Sequence, residues 1–328
     1  MLWGKVMEVR RLQKTGGSTF FVSLPKQWIK NMGLKQGDPI AIYTIKDGRL
    51  ILDPRYGEHE QPKTAVIDIE QDFSREIIAK YLYGYDVIEI KSRNRISREN
   101  RKLIKNTIQR LIGVEIIEEN SRRIVLQCLI SPTSLPIDRS LKRMYLITSK
   151  MHEDSMTSLI ENDVELAETV IHRDEEVDRL YFLVVRQIRS ALQSPYVARK
   201  LETTQLDCLD YRIAAKNIEA IADCAVTIAE KVIVLNGEKI PQYLLEQMQE
   251  LSKVAQKIHK SALSALLKKN TQLAVEALDT KQEAIKIVEK LNAEILKQQL
   301  SIAIHLNIIV DALSKIVTYA ADIADLAF

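Results

Sequence analysis

Apolar positions change their spacing once along this chain, near residue 135. Before it they alternate in short runs, the period of half-buried strands. After it Leu, Ile and Ala return every three or four residues almost to Phe328, the period of amphipathic helices. Glycine follows the same division: nine of the ten lie at or before Gly113, and the tenth, Gly237, falls between two long helical patterns. The alternation predicts strands over 6–14 and 18–24 around the turn Thr15-Gly16-Gly17. It continues with a short helix opened by Pro25 and capped by Gly33, and a hairpin of 39–45 with 49–52 about Asp47-Gly48. This β-β-α-β-β unit of residues 1–55 carries Phe20, Val22, Leu24, Ile40 and Ile42 on alternate positions, but it is too small to close a core alone. Dimerisation would complete it.

Residues 60–135 read β-α-β-α-β-β. A strand over 64–69 precedes a helix over 74–83 that Gly84 stops; a strand over 87–91 precedes a helix that Ser97 caps and that ends before Gly113; a hairpin of 114–118 with 123–130 turns about Asn120. Beyond them the period predicts helices over 138–161, 164–193 and 204–235, then 242–268, 271–299 and 301–327, with Gly237 and Pro241 between the groups. The groups repeat. EAIADCAVTIAE at 219–230 aligns with SKIVTYAADIAD at 314–325 at an offset of 95, and VELAETVIHRDEEVD at 164–178 aligns with TQLAVEALDTKQEAI at 271–285 at an offset of 107. The first copy is therefore longer by 12 residues between these helices, near Ser194-Pro195, where a helix must end. Short connections between long helices predict antiparallel neighbours, hence two up-down three-helix bundles, 138–235 and 238–328. The expected fold class is multidomain: an all-β dimer domain, a small α/β module, and C-terminal all-α tandem three-helix bundles.

Composition, with 46% hydrophobic and 28% charged residues, is that of a soluble globular protein. MLWGKVMEVRR lacks the apolar run of a signal peptide, and charge interrupts every long apolar stretch, Asp311 and Lys315 in the last helix included. A cytoplasmic protein without membrane insertion is expected. Cys128, Cys208 and Cys224 are odd in number and widely spaced, which predicts free thiols rather than disulfides or a zinc site. Charge adds more. Residues 1–55 hold ten Lys and Arg against four Asp and Glu, a net +6 in a chain of net +3, and Lys5, Arg10, Arg11, Lys14, Lys26, Lys30 and Lys35 face only Glu8 among them. A two-fold dimer doubles that field, and DNA phosphate is its natural partner. A second basic run at 91–110 carries eight basic residues against Glu99, with Arg98, Lys102 and Lys105 on one helix face; it either extends a DNA footprint or faces water.

The run VRRLQKTGGSTFFVSLPKQWIKNMGLKQGDPIAI resembles the AbrB/SpoVT-type swapped-hairpin DNA-binding domain in its basic strand, glycine turn, Ser-Leu-Pro-Lys helix start and Gly-Leu-x-x-Gly-Asp. The resemblance implies an intertwined homodimer through residues 1–55. It also implies DNA contacts from Arg10, Arg11, Lys14, Lys26 and Lys30, with Ser18 and Thr19 donating to phosphate.

The helical half, through VIHRDEEVDRL, NIEAIADCAVTIAE and its two-copy layout, resembles the PhoU family of phosphate-uptake regulators. The resemblance implies restraint of phosphate transport through a transporter or signalling partner, and an acidic signature with Asp or Glu four residues before Asp, proposed to bind metal. Asp174 with Asp178 and Glu219 with Asp223 match that signature, whereas the second copy has Lys281, Ile285, Ser314 and Thr318 at the same places. Two such pairs facing each other offer hard oxygen donors for a divalent metal or iron. The polar stripe of Arg212, Lys216, Glu219, Asp223 and Glu230 is explained equally well by a solvated helix face, and Arg173, Arg179 or Lys216 can pair Asp174 and Asp178. His59, His152, His172, His259 and His305 are scattered, and no phosphate-binding loop, serine elbow or HExxH motif occurs, so no enzyme is expected. The expected function is a dimeric DNA-binding regulator of phosphate uptake. The alternatives are a docking regulator that binds no DNA, and a metal-binding helical protein.

Overall fold

A computed structural model describes residues 8–44, 48–54, 62–69 and 72–328. Contacts divide the chain into two compact units, Met1–Pro62 and Lys63–Phe328. The expected features that involve Lys5, Val6, Ile45, Asp47 and His59 lie outside the described residues.

In the first unit β1 (Gln13–Thr15) and β2 (Thr19–Phe21) form an antiparallel hairpin with Lys14 opposite Phe20. Both strands are shorter than the alternation predicts, because pairing extends only from Gln13 to Phe21. Helix α1 (Lys26–Asn31) starts after Pro25 and ends ahead of Gly33. A second hairpin pairs β3 (Ala41–Thr44) with β4 (Leu50–Asp53). Apolar side chains here are left largely in the open: Phe20 is 59% exposed, and among the described residues of this unit none but Asp53 is buried.

The second unit begins with a four-stranded sheet of order β5-β6-β8-β7, made of β5 (Thr64–Asp68), β6 (Val87–Lys91), β7 (Val114–Glu119) and β8 (Arg123–Cys128). Strands β5 and β6 are parallel and the other pairings antiparallel, with a bulge between Ile116 and Glu118. Helices α2 (Phe73–Tyr83) and α3 (Arg98–Gln109) supply the core that Ile67, Ile88, Ile90, Ile124 and Leu126 face, through Ile77, Tyr81, Ile104 and Ile108. Gly113 turns the chain into β7 at φ 80°, and a Cβ there would lie 2.6 Å from Ile130 Cγ1, so the turn admits no larger residue without moving that side chain.

Helices α4 (Ile137–Glu161), α5 (Val164–Gln193), α7 (Gln205–Val234), α8 (Gln242–Lys268), α9 (Thr271–Ile295) and α10 (Leu300–Asp325) make the tandem bundles. The extra residues of the first copy build a short helix absent from the second, α6 (Pro195–Lys200), capped by Ser194. The turns repeat as the sequence does. Asn162 and Lys269, 107 residues apart, both close their helices in the left-handed region at φ 53° and 50°, and the next residues, Asp163 and Asn270, cap the following helices by accepting from Leu166 N and Leu273 N. One continuous core joins the copies, with Ile221, Ala225 and Ile228 of α7 and Ile316, Ala320 and Ile323 of α10 all fully buried. Helix α10 is long and apolar enough to cross a membrane, but half of that apolar stretch is buried, as in a core helix of a bundle.

Helix α5 also carries the α/β module. Arg186, 1% exposed, donates through Nη1 to the carbonyls of Tyr81 (2.8 Å) and Tyr85 (2.7 Å) and through Nη2 to Asp86 Oδ1 (2.9 Å). Its neighbour Gln187 donates to the carbonyls of Pro132 and Leu135 in the connection to α4. These bonds tie residues 63–135 to the helices within one compact unit.

Candidate functional site

The described basic residues of the first unit are all solvent-exposed. The hairpin β1–β2 places Lys14, Ser18 and Thr19 together, with Lys14 Nζ 5.9 Å from the Phe20 ring centre. Arg10 pairs with Glu8, while the Arg11 side chain makes no ion pair or hydrogen bond among the described residues. Lys26 and Lys30 lie four residues apart on α1, one turn of the helix, and so share a face. These positions suit backbone phosphate, whose contacts need flexible donors at a surface rather than a preformed pocket.

The four carboxylates gather on the facing sides of α5 and α7. Asp174 is half-buried, and its Oδ1 has no hydrogen-bond partner. Burial, then the charges of Asp178, Asp223 and Glu219, push the Asp174 carboxyl up to about 6. Burial and the Glu219 charge also raise Asp223. The partners differ from those the sequence suggests. Asp178 is held by Arg110 at 3.1 Å, a residue of the α/β module whose guanidinium also sits 5.5 Å from the Phe182 ring centre. Arg173 turns instead to Asp154 (2.7 Å), and Lys216 pairs with Glu219. Arg212 and Lys216 both lie over Tyr181 of α5, so this part of the polar stripe packs against a neighbouring helix and is not simply a solvated face. Asp174 and Asp223 make no ion pair among the described residues. The donor chemistry suits a hard cation, yet no three His, Cys, Asp or Glu converge at metal-binding distance among the described residues. The free thiols offer no alternative: burial pushes Cys224 up to about 12 and raises Cys208.

A charged carboxylate held this way opposes folding. Asp174→Asn, which keeps the shape, is expected to stabilise the protein at pH 8 by about 1–2 kcal/mol, less than the ~3 kcal/mol to which a rise to about 6 corresponds, because solvent screens this half-buried site. The folded carboxyl takes up its proton as pH falls through about 6, so the gain shrinks below that point. Urea denaturation of both proteins at pH 8 and pH 5 checks this; an equal gain at both values would remove the carboxylate charge as its cause.

Sequence reasoning missed Arg110 and Arg186 as the links between module and bundle. Each sits among other arginines of the same helical appearance, and only its partner, 68 or about 100 residues away in the chain, distinguishes it.

Residues 141–232, helices α4 to α7, match the family description "PhoU domain", and residues 13–58 match "Antidote-toxin recognition MazE, bacterial antitoxin". Two relatives described as "Phosphate-specific transport system accessory protein PhoU homolog" come from Xylella fastidiosa strains 9a5c and Temecula1. They are 24% identical over 162 residues and 28% identical over 182. The matches cover 48% and 54% of this chain, and 65% and 68% of the relatives, just under two thirds of the first. The fold is shared with the crystal structure of PhoU from Pseudomonas aeruginosa (TM-score 0.52, 18% identity, 58% of this chain and 93% of that one). It is shared also with the phosphate transport system regulatory protein PhoU from Streptococcus pneumoniae (TM-score 0.51, 16% identity, 58% and 91%). Residues 141–232 thus carry a PhoU-domain match within the helical half, and residues 13–58 ahead of it carry a MazE-antitoxin-type match.

Proposed function

We propose that the protein is a cytoplasmic, dimeric, DNA-binding regulator of phosphate uptake and not an enzyme. Residues 1–55 form the dimer and hold DNA through Arg10, Arg11, Lys14, Ser18, Thr19, Lys26 and Lys30; residues 60–135 form an α/β module; residues 138–235 and 238–328 form the sensing or docking bundles. The observation that carries this reading is the segment of residues 1–55, net +6, whose described apolar residues are all left unburied, joined in one chain to a PhoU domain. A second copy would cover the apolar residues and double the charge.

Fluorescence anisotropy on a labelled duplex over a salt series tests it. Affinity is expected to fall steeply with salt, and Arg10→Gln/Arg11→Gln/Lys14→Gln to reduce the slope of log K against log salt by about 0.9 for each phosphate that is no longer neutralised. Binding indifferent to salt, or a variant with an unchanged slope, contradicts DNA recognition by this surface. Regulation that survives the substitutions would then point to docking on a phosphate transporter or a signalling protein.

The unpaired Oδ1 of Asp174 supports a second reading, a divalent cation or iron held at Asp174, Asp178, Glu219 and Asp223. Mg2+ or Mn2+ is then expected to raise the melting temperature of the wild type and not of Asp174→Asn. Equal response of the two proteins rejects it.

A further inference from the structure

Most basic side chains of the α/β module are consumed by the fold. Arg101 pairs with Glu119 and donates to the Asn120 carbonyl, Lys91 and Arg123 share Glu89, and Arg110 holds Asp178. Five are not. Arg95, Arg98, Lys102, Lys105 and Arg122 are exposed, and their side chains make no ion pair or hydrogen bond among the described residues. We propose that this surface, centred on α3, is a second footing for duplex DNA; the inference rests on the DNA reading of residues 1–55.

The fold assembles the surface from two segments. Ser97 caps α3 by accepting from Asn100 N, and Ile104, Thr107 and Ile108 bury its inner face, which turns Arg98, Lys102 and Lys105 outward. The β7–β8 turn lies against the loop that leads into α3, where Ser92 N donates to the Arg122 carbonyl (2.9 Å) and Ile96 N to the Ser121 carbonyl (2.8 Å). The turn carrying Arg122 is thereby held against the loop carrying Arg95. Glu99 is the one acidic residue in the run from 91 to 110.

Shape and composition select the anion. From Arg98 to Lys105 the charges spread along about 10 Å of helix at 1.5 Å per residue, too far for a single phosphate ion and suited to successive phosphates of a strand. No aromatic residue occurs from 91 to 110 to stack on splayed bases or to anchor in a lipid interface, which favours the backbone of a duplex over single strands and membranes. Covalent linkage to the first unit makes the second contact intramolecular, so even a weak footing adds to affinity.

The full-length chain and its Arg98→Gln/Lys102→Gln/Lys105→Gln variant, compared over a salt series on one duplex, test the inference. The variant is expected to melt with the wild type, since all three side chains are exposed, and its log K against log salt slope to be shallower by about 0.9 for each phosphate that is no longer neutralised. A wild-type slope retained by this variant, but reduced by Arg10→Gln/Arg11→Gln/Lys14→Gln, overturns the second footing and leaves the first unit as the DNA site. Absence of any duplex binding by the wild type overturns both. Loss of binding to phosphatidylserine vesicles with the DNA slope unchanged assigns the surface to membranes and also overturns it.

Discussion

Arg186→Met lowers the stability of the Lys63–Phe328 unit by about 3–5 kcal/mol, the range for removing one partner of a buried charged network. The expectation follows from what is left behind. Methionine fills much of the volume, but the carbonyls of Tyr81 and Tyr85 and the Asp86 carboxylate lose donors at 2.7–2.9 Å from a side chain that is itself 1% exposed. The guanidinium also lies 5.0 Å from the Tyr81 ring centre, an interaction no neutral side chain restores. Arg186→Lys keeps the charge without the fork and is expected to recover only part of the loss. Asp86→Asn is expected to cost less than either, because Asp86 is one-third exposed and its Oδ2 is also held by Lys63 N. Urea denaturation measures the loss. Hydrogen exchange locates it: amides of α2 become exposed to exchange before those of α8 and α10. A loss below about 1 kcal/mol, the net worth of an ordinary hydrogen bond, would show that the carbonyls find water instead and that Arg186 is not what docks the module.

This residue also shows where sequence reading stops. The long helices are legible because each buries one face, and a stripe such as Ile221, Ala225 and Ile228 states its period without reference to the partner. The repeat is legible for the same reason, and the structure extends its 107-residue offset to the turns at Asn162 and Lys269. Arg186 and Arg189 look alike in that pattern, yet one is buried and the other exposed, since a strand-and-helix module some hundred residues earlier covers only one of them. The short strands near the N-terminus fail differently. Alternation marks where a strand can form, but a ladder extends only as far as a partner runs beside it, which here is Gln13 to Thr15. At the carboxylate patch the spacing within each helix is readable, the Lys216–Glu219 pair included, whereas Arg110, the partner of Asp178 from 68 residues away, depends on packing. Charge at residues 1–55 and on α3 needs no such knowledge, because exposed basic residues without acidic neighbours are visible as composition.

Acidification from pH 6.5 to 4 is expected to weaken the joint between the two bundles, through a histidine pair that becomes meaningful only once the repeat is recognised. His152 and His259 stand 107 residues apart, as do Tyr145 and Ser252, and the seam of α4 with α8 crosses them over: His152 Nε2 meets Ser252 Oγ at 3.1 Å, and His259 lies edge-on to Tyr145 at 4.7 Å between ring centres. Both histidines are fully buried in the core that unites the copies, and His152 Nδ1 and His259 Nε2 have no partner. Burial alone depresses His152 to about 4, and burial with the neighbouring His152 depresses His259 to about 3. The sign is set by these depressed values. Both rings are neutral in the folded protein and both protonate near pH 6.5 in the unfolded chain, so the stability is complete above that value and is lost as pH falls towards the folded values. Each histidine contributes a slope of about 1.4 kcal/mol per pH unit between pH 6 and 4, a large share of the ~5–15 kcal/mol that holds a domain folded. Asp174, which gains a proton on folding below about pH 6, opposes one of them, so the measurement belongs in the Asp174→Asn background. There, urea denaturation at half-unit intervals is expected to show two protons' worth of slope, reduced by half in His152→Gln and nearly abolished in the double variant with His259→Phe. A slope unchanged by both substitutions would place the acid sensitivity among surface carboxylates and leave the seam a neutral packing contact.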